Sequence, residues 1–176
     1  MIRLFAAIAL PDEIGAALLA RQEPMPGARW RPIQALHITL RFFGEVREDV
    51  ADDLDSALSA IAVAPFALAL RGAGASADNG ELTSLWAGVE DSEPLRRLAG
   101  RCESAARQAG LKPEPRAFRP HVTLAYLRRP DAPRVAAWIQ RNNLLRAPAI
   151  AVNRFGLYSS RLGHEGSAYR LERTYG

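Results

Sequence analysis

Cysteine is almost missing from this chain of 176 residues: Cys102 stands alone. That excludes an intrachain disulfide framework and a cysteine-based zinc site. Cys102 falls in a helical pattern and reads as a small filler. Lysine is as scarce. Lys112 is the single lysine among 23 basic residues, which leaves arginine for the rest, and the formal net charge is +4. Alanine is abundant as well, the bias a GC-rich genome imposes, so the charge alone does not name a nucleic-acid partner. Its chemical consequence is that a basic side chain meeting a phosphate here is nearly always a bidentate guanidinium fork. Long hydrophobic runs are lacking too. The apolar stretch from Leu4 to Leu10 is too short to span a membrane, and acids follow it with no small-residue cleavage site before them. With 48% hydrophobic and 24% charged residues the composition is that of a folded domain. The expectation is a cytoplasmic, soluble monomer, one domain over residues 1–176, with no obligatory protein partner and no membrane association.

What is present alternates between strand and helix patterns. Residues 2–10 read as a buried strand, and Pro11, Asp12 and Glu13 open a helix that fades near Arg21. Residues 36–43 read as a strand, 48–62 as a helix, 66–71 as a strand, 72–80 as a Gly/Ala/Ser loop and 82–89 as a strand. The second half repeats the rhythm. It has a helix over 94–109 ended by Gly110, an arginine-bearing loop over 113–120, a strand over 121–127 and a helix over 132–141. Two strands close the chain, 149–159 and 167–175, joined through a turn at 162–166. No linker separates the halves. The fold class this implies is α+β, with two lobes packed side by side.

Histidine is the third scarce residue, and its placement is not random. Of the three, His37 and His121 lie in near-identical tetrapeptides, His37-Ile38-Thr39-Leu40 and His121-Val122-Thr123-Leu124. The spacing is close to half the chain, which suggests a duplicated unit. In a strand, alternate side chains share a face. His37 and Thr39 then lie on one face, with Ile38 and Leu40 on the core side, and the second motif repeats this. If the halves are related by a twofold, both His/Thr pairs meet at one cleft. An imidazole titrates near pH 6.5, so one neutral ring can take a proton from a nucleophile while the other, protonated, gives one to a leaving group. Such a pair suits in-line displacement at phosphorus, with the threonine hydroxyls holding non-bridging oxygens. His164, in the final turn, reads as a surface residue.

The doubled motif is the signature of the 2H phosphoesterase superfamily. Its surroundings narrow the likeness: Arg3-Leu4-Phe5-Ala6-Ala7-Ile8, then Phe42-Phe43-Gly44-Glu45-Val46, then Phe118-Arg119-Pro120 before His121, and Leu157-Tyr158 through Gly166 to Tyr169. Together they resemble the RNA 2′,3′-cyclic phosphodiesterase family, also known as the 2′-5′ RNA ligase or LigT-like family. The resemblance implies a bilobal fold, with two antiparallel sheets facing a V-shaped cleft and helices outside. It implies metal-independent opening of a terminal 2′,3′-cyclic phosphate to a 2′-phosphomonoester, with no cofactor, on RNA ends. It makes His37 the general acid and His121 the general base, with Thr39 and Thr123 on the phosphate. Some members also join or cleave 2′-5′ linkages. Transfer-RNA halves, oligonucleotides and cyclic nucleotides all carry the same reacting group. One departure stands out. Members often have a phosphate-holding arginine five residues after the second histidine, and here Tyr126 occupies that place.

The candidates to supply that charge are Arg41, Arg119, Arg128 and Arg129. Trp30, beside Arg31, could stack on substrate or pack at the rim, and one of Phe42 and Phe43 could reach the cleft. Arg116 lies in the loop before His121. Trp86 and Trp138 read as core. Asp49, Asp52, Asp53 and Asp55 read as a solvated helix face. Two other readings stay open at this level. One is a metal-dependent hydrolase using both histidines, although no sequence-local carboxylate completes a ligand set. The other is an RNA-end binding module without turnover, favoured by the tyrosine at 126.

Overall fold

The structure, a computed structural model, describes residues 1–163 and 166–176. The chain runs β1 (Ile2–Ala9), α1 (Asp12–Leu19), β2 (Ala28–Trp30), a 3-10 turn (Ile33–Ala35), β3 (His37–Val46), α2 (Glu48–Ser59), β4 (Phe66–Leu68), β5 (Leu70–Asp78) and β6 (Glu81–Val89). It continues through α3 (Glu93–Gln108), β7 (His121–Leu127), α4 (Ala132–Asn142), β8 (Ile150–Val152), β9 (Phe155–Gly163) and β10 (Gly166–Tyr175). The α+β class is as expected. Among the described residues no helix is long and apolar enough to cross a membrane.

The helices form where caps and periodicity agree. The Ser92 hydroxyl accepts the Leu95 N–H at the start of α3, and Pro94 sits in the first turn. Leu95, Leu98, Cys102 and Ala106 then recur on one buried face, each large side chain contributing about 1.5–3 kcal/mol by leaving water. Asp131 caps α4 through the Arg134 N–H, and Val135 and Trp138 are buried beneath it. In α1, a Cβ on Gly15 would lie 2.7 Å from the Ile33 side chain. The helix therefore presses directly on the turn that leads into His37.

Eight strands form one sheet in the order β10-β9-β1-β3-β7-β6-β5, with β2 also paired to β7. A second, two-stranded sheet joins β4 to β8. The halves expected from the sequence are hydrogen-bonded to each other through β3 and β7. Each motif strand follows a β-α unit, β1-α1 or β6-α3, and is followed by a helix, α2 or α4. The join itself is one antiparallel pair, Ile38 with Val122. These are the same position of the two motifs, so a local twofold passes between them. Both are fully buried, which turns the flanking His/Thr pairs to the opposite, open face.

Both motif strands also carry a bulge at the same place. The β1–β3 register steps from Ala7↔Thr39 to Ala6↔Arg41, leaving Leu40 unpaired with β1. The β6–β7 register steps from Trp86↔Thr123 to Leu85↔Ala125, leaving Leu124 unpaired with β6. An extra residue inverts the alternation beyond it. Arg41 and Ala125 are consequently buried, while Phe42 and Tyr126 come to the open face.

Several elements differ from the sequence reading. Residues 72–80 are not a loop: β5 runs to Asp78 and turns into β6 through Asn79 and Gly80, both at positive φ. Asn-Gly between two strands is a strong hairpin signal, and the small side chains of β5 concealed it. The strand expected over 66–71 breaks at Ala69 into β4 and β5, and that over 149–159 breaks between β8 and β9. The Pro-rich segment before the first motif contains β2. His164 and the centre of the last turn lie outside the described residues.

Candidate active site

The two histidines are held alike. His37 Nδ1 lies 2.9 Å from the Ala35 carbonyl, and His121 Nδ1 lies 2.7 Å from the Arg119 carbonyl, each two residues back. A carbonyl can only accept, so Nδ1–H donates in both rings. That leaves Nε2 of each as the site that gains or loses a proton. Each histidine also stands beside a small residue on the adjacent strand, Ala9 for His37 and Gly88 for His121, which leaves room over the ring. With Ile38 paired to Val122, His37 and His121 are diagonal neighbours on one face, their Cα atoms about 7–8 Å apart in a regular ladder. Thr39 and Thr123 complete the square, both half-buried.

The surroundings of the two rings differ. His37 is enclosed by aromatics: Phe5 at 4.9 Å and Tyr169 edge-on at 5.2 Å between ring centroids, with Tyr158 stacked on Phe5. Burial pushes the His37 pKa down to about 4, against the raising effect of the Ala35 carbonyl, and the charge of Arg31 and the neighbouring His121 push the same way. In the free protein at neutral pH this imidazole is uncharged. His121 is more open and lies 6.2 Å from Trp86. Trp86 is not core as expected. It is half-buried on the open face, its ring lying on Gly74, where a Cβ would meet it at 2.4 Å. A recess of about 40 Å³ over His37 is lined by Phe5, Ala9, Gln34, Leu36, Tyr158 and Tyr169. It adjoins, through Ala9 and Tyr158, a larger cavity of about 460 Å³ beside Asn153, Arg154 and Thr174.

Arg41 is turned away by the Leu40 bulge and ends 9% exposed, bonded to Glu103 at 2.5 Å, to the Lys112 carbonyl at 2.8 Å and to Glu114 at 3.5 Å. It ties β3 to α3 and the following loop and is not a phosphate ligand. Arg119, Arg128 and Arg129 are exposed; Arg119 contributes its carbonyl to His121, and Arg128 and Arg129 lie past the end of β7. Arg116 is paired with Glu114.

The aromatic candidates divide. Trp30 donates its indole N–H to the Glu23 carbonyl and packs 5.7 Å from Trp138, so it is a rim packing residue, and Trp138 is core. Phe43 is buried and Phe42 lies on the open face under Arg3. Asp55 is more than a solvated acid, since it accepts the Tyr175 hydroxyl. Cys102 is fully buried, its thiol pushed up to about 12 by desolvation. Among the described residues no group of three His, Cys, Asp or Glu side chains is gathered for a metal ion.

Sequence reasoning missed Tyr169, Phe5 and Arg31 as neighbours of His37. Phe5 and Tyr169 sit within segments that carried the family likeness, but no spacing rule joins them to residue 37. Arg31 is 4% exposed, with its guanidinium 5.2 Å over the Tyr126 ring and 5.4 Å over the Tyr169 ring.

Known proteins resemble this chain over most of its length. Residues 10–164 match the model of the 2′-5′ RNA ligase superfamily. An RNA 2′,3′-cyclic phosphodiesterase of Thermus thermophilus is 34% identical, covering 97% of this chain and 87% of its own. One of Archaeoglobus fulgidus is 28% identical, covering 99% of both. The crystal structure of E. coli LigT complexed with 3′-AMP superposes with a TM-score of 0.80 at 28% identity, over 99% of this chain and 97% of that one.

Proposed function

Because the chain belongs to the 2′-5′ RNA ligase superfamily, we propose that it is an RNA 2′,3′-cyclic phosphodiesterase that hydrolyses terminal cyclic phosphates to 2′-phosphomonoesters. It works on RNA ends in the cytoplasm as a monomer, without metal or other cofactor. The observation that carries this reading is the matched pair of imidazoles. Both Nδ1–H groups are fixed on carbonyls, which leaves both Nε2 atoms, on adjacent strands related by a local twofold, without a hydrogen-bond partner among the described residues.

In the reaction the cyclic phosphate lies between the two imidazoles with Thr39 and Thr123 on its non-bridging oxygens. His121 Nε2 takes a proton from water as the water oxygen bonds to phosphorus. The P–O3′ bond breaks, and His37 Nε2–H delivers a proton to the departing 3′ oxygen. The substrate's negative charge favours the imidazolium of His37 once bound, offsetting the burial that keeps it neutral in the free protein. Two imidazoles supply both proton transfers, so no metal-bound hydroxide is required. With a ribose hydroxyl in place of water the same steps join a 2′-5′ linkage.

One observation favours a second assignment. The neutral His37 is suited to accept a proton in the free protein, and the two roles exchange if the cyclic phosphate lies turned over, with its leaving 3′ oxygen beside His121. An aryl phosphodiester, whose leaving oxygen needs no proton, separates the two, because its turnover survives loss of the acid and not of the base. The test is a 2′,3′-cyclic nucleotide and a cyclic-phosphate oligonucleotide in excess EDTA. The expected result is a 2′-phosphate, unaffected by chelator, with His37→Ala and His121→Ala each abolishing turnover while remaining folded. Loss of activity with EDTA refutes the mechanism. A 3′-phosphate product refutes departure of the 3′ oxygen, and aryl-ester turnover that survives His121→Ala and not His37→Ala refutes the assignment of roles.

A further inference from the structure

We infer that Arg31 is the residue that grips the phosphate between the two histidines, reaching from the end of β2 the spot that Tyr126 occupies on β7. This rests on the proposed reading of the site and goes beyond it, because no motif includes residue 31.

The placement begins with the bulge at Leu124, which turns Tyr126 to the open face, next in line after His121 and Thr123. Strand β2 runs beside this part of β7, with Arg29 opposite Tyr126 and Trp30 opposite Ala125. Arg31 follows directly. Its backbone is pinned on both sides, its N–H donating to the Leu124 carbonyl at 2.8 Å and its carbonyl accepting from Gln22 Nε2 at 2.9 Å. The guanidinium lies against both the Tyr126 and Tyr169 rings and donates to the Ser167 carbonyl at 3.2 Å. Tyr169 in turn stands edge-on to His37 at 5.2 Å, so one ring separates the guanidinium from the first imidazole. Its charge is already felt there, being among the influences that hold His37 neutral.

The two buried arginines of the chain are in opposite states. Arg41, 9% exposed, is neutralised by Glu103 and Glu114. Arg31, 4% exposed, has no carboxylate within 4.0 Å among the described residues. Desolvating a cation that has no carboxylate partner among the described residues is costly. The cost is offset when an anion arrives beside it, and the site it faces is built for one. Tyrosine at 126 then has a use: a guanidinium there would repel Arg31, whereas a phenol ring gives it a face to rest on.

The full-length protein and its Arg31→Gln, Arg31→Lys and Tyr126→Arg variants test this, with cyclic-nucleotide turnover and inorganic phosphate as the probe of the empty site. Removing one charged donor should raise KM and weaken phosphate inhibition together by about tenfold to a hundredfold. Arg31→Lys should recover only part of it, since the fork is lost. In Arg31→Gln the His37 resonance should titrate at higher pH than in wild type, a change that a merely structural role would not cause. Adding Tyr126→Arg to Arg31→Gln should restore phosphate affinity. Should Arg31→Gln not fold, Arg31→Lys carries the same comparison. Phosphate affinity and KM within about twofold of wild type in a folded variant, or no rescue by Tyr126→Arg, overturns the inference. If the wild type turns over no cyclic phosphate, it is the functional reading that fails, and phosphate titration followed at the His37 and His121 resonances still decides Arg31.

Discussion

Acid should destabilise the wild-type protein more than a His37→Asn variant, by about 2.5 kcal/mol on going from pH 8 to pH 4.5. The origin is the enclosure of His37 by Phe5 and Tyr169, with Arg31 close by, which pushes its pKa down to about 4 from an ordinary value near 6.5. The unfolded chain takes up this proton as pH falls below about 6.5, and the folded chain resists until about 4. Acid therefore favours unfolding throughout that window. The stabilising effect is complete above pH 6.5 and is lost as pH drops toward 4. Each pH unit of the gap is worth about 1.4 kcal/mol, so the whole gap amounts to about 3 kcal/mol, most of it lost by pH 4.5. Urea unfolding of both proteins across this range gives the two stability profiles, and their difference isolates His37 from the carboxylates titrating nearby. Saturating phosphate should shrink the difference, because an anion at the site lets the folded state keep the proton. Profiles that run parallel from pH 8 to 4.5 would refute the claim that the enclosed, half-buried His37 is neutral. The expectation that the substrate's charge must recruit its proton would fall with them.

Two further outcomes follow from the architecture. Arg41→Met leaves the partly exposed Glu103 without its guanidinium, while Glu114 keeps Arg116, and should cost about 1–3 kcal/mol in urea unfolding while leaving phosphate inhibition unchanged; a matching loss of phosphate affinity would return Arg41 to the site. Gly74→Val places a side chain where the Trp86 ring now lies and should cost about 1–3 kcal/mol. Displacing Trp86 from beside His121 should also change tryptophan fluorescence and lower kcat, and an unchanged kcat would show that Trp86 does not support His121.

Local rules made much of this protein legible. Strand periodicity and the doubled His-x-Thr pattern settle that Ile38 and Val122 face the core and that the adjacent histidines and threonines do not, because two-residue alternation is a property of the chain itself. Helix α3 was equally readable from the recurrence of Leu95, Leu98, Cys102 and Ala106 and from Gly110 at its end. Where one more residue intervenes, the rule inverts. Arg41 continues the alternation of His37 and Thr39 on paper, yet the Leu40 bulge sends it into the core, while the matching bulge at Leu124 brings Tyr126 out. Bulges depend on how a strand pairs with its neighbour, and that information is not local to the motif. The same holds for Arg31 and Tyr169. They are separated by most of the chain and meet only because β2 lies beside β7 and β10 closes the other end of the sheet. The sequence by itself determined the two matched histidine motifs and the chemistry proposed for such a pair. Tertiary pairing decided which guanidinium stands beside it and which imidazole is dry enough to stay neutral, since burial and charge depend on distances that only the folded chain fixes.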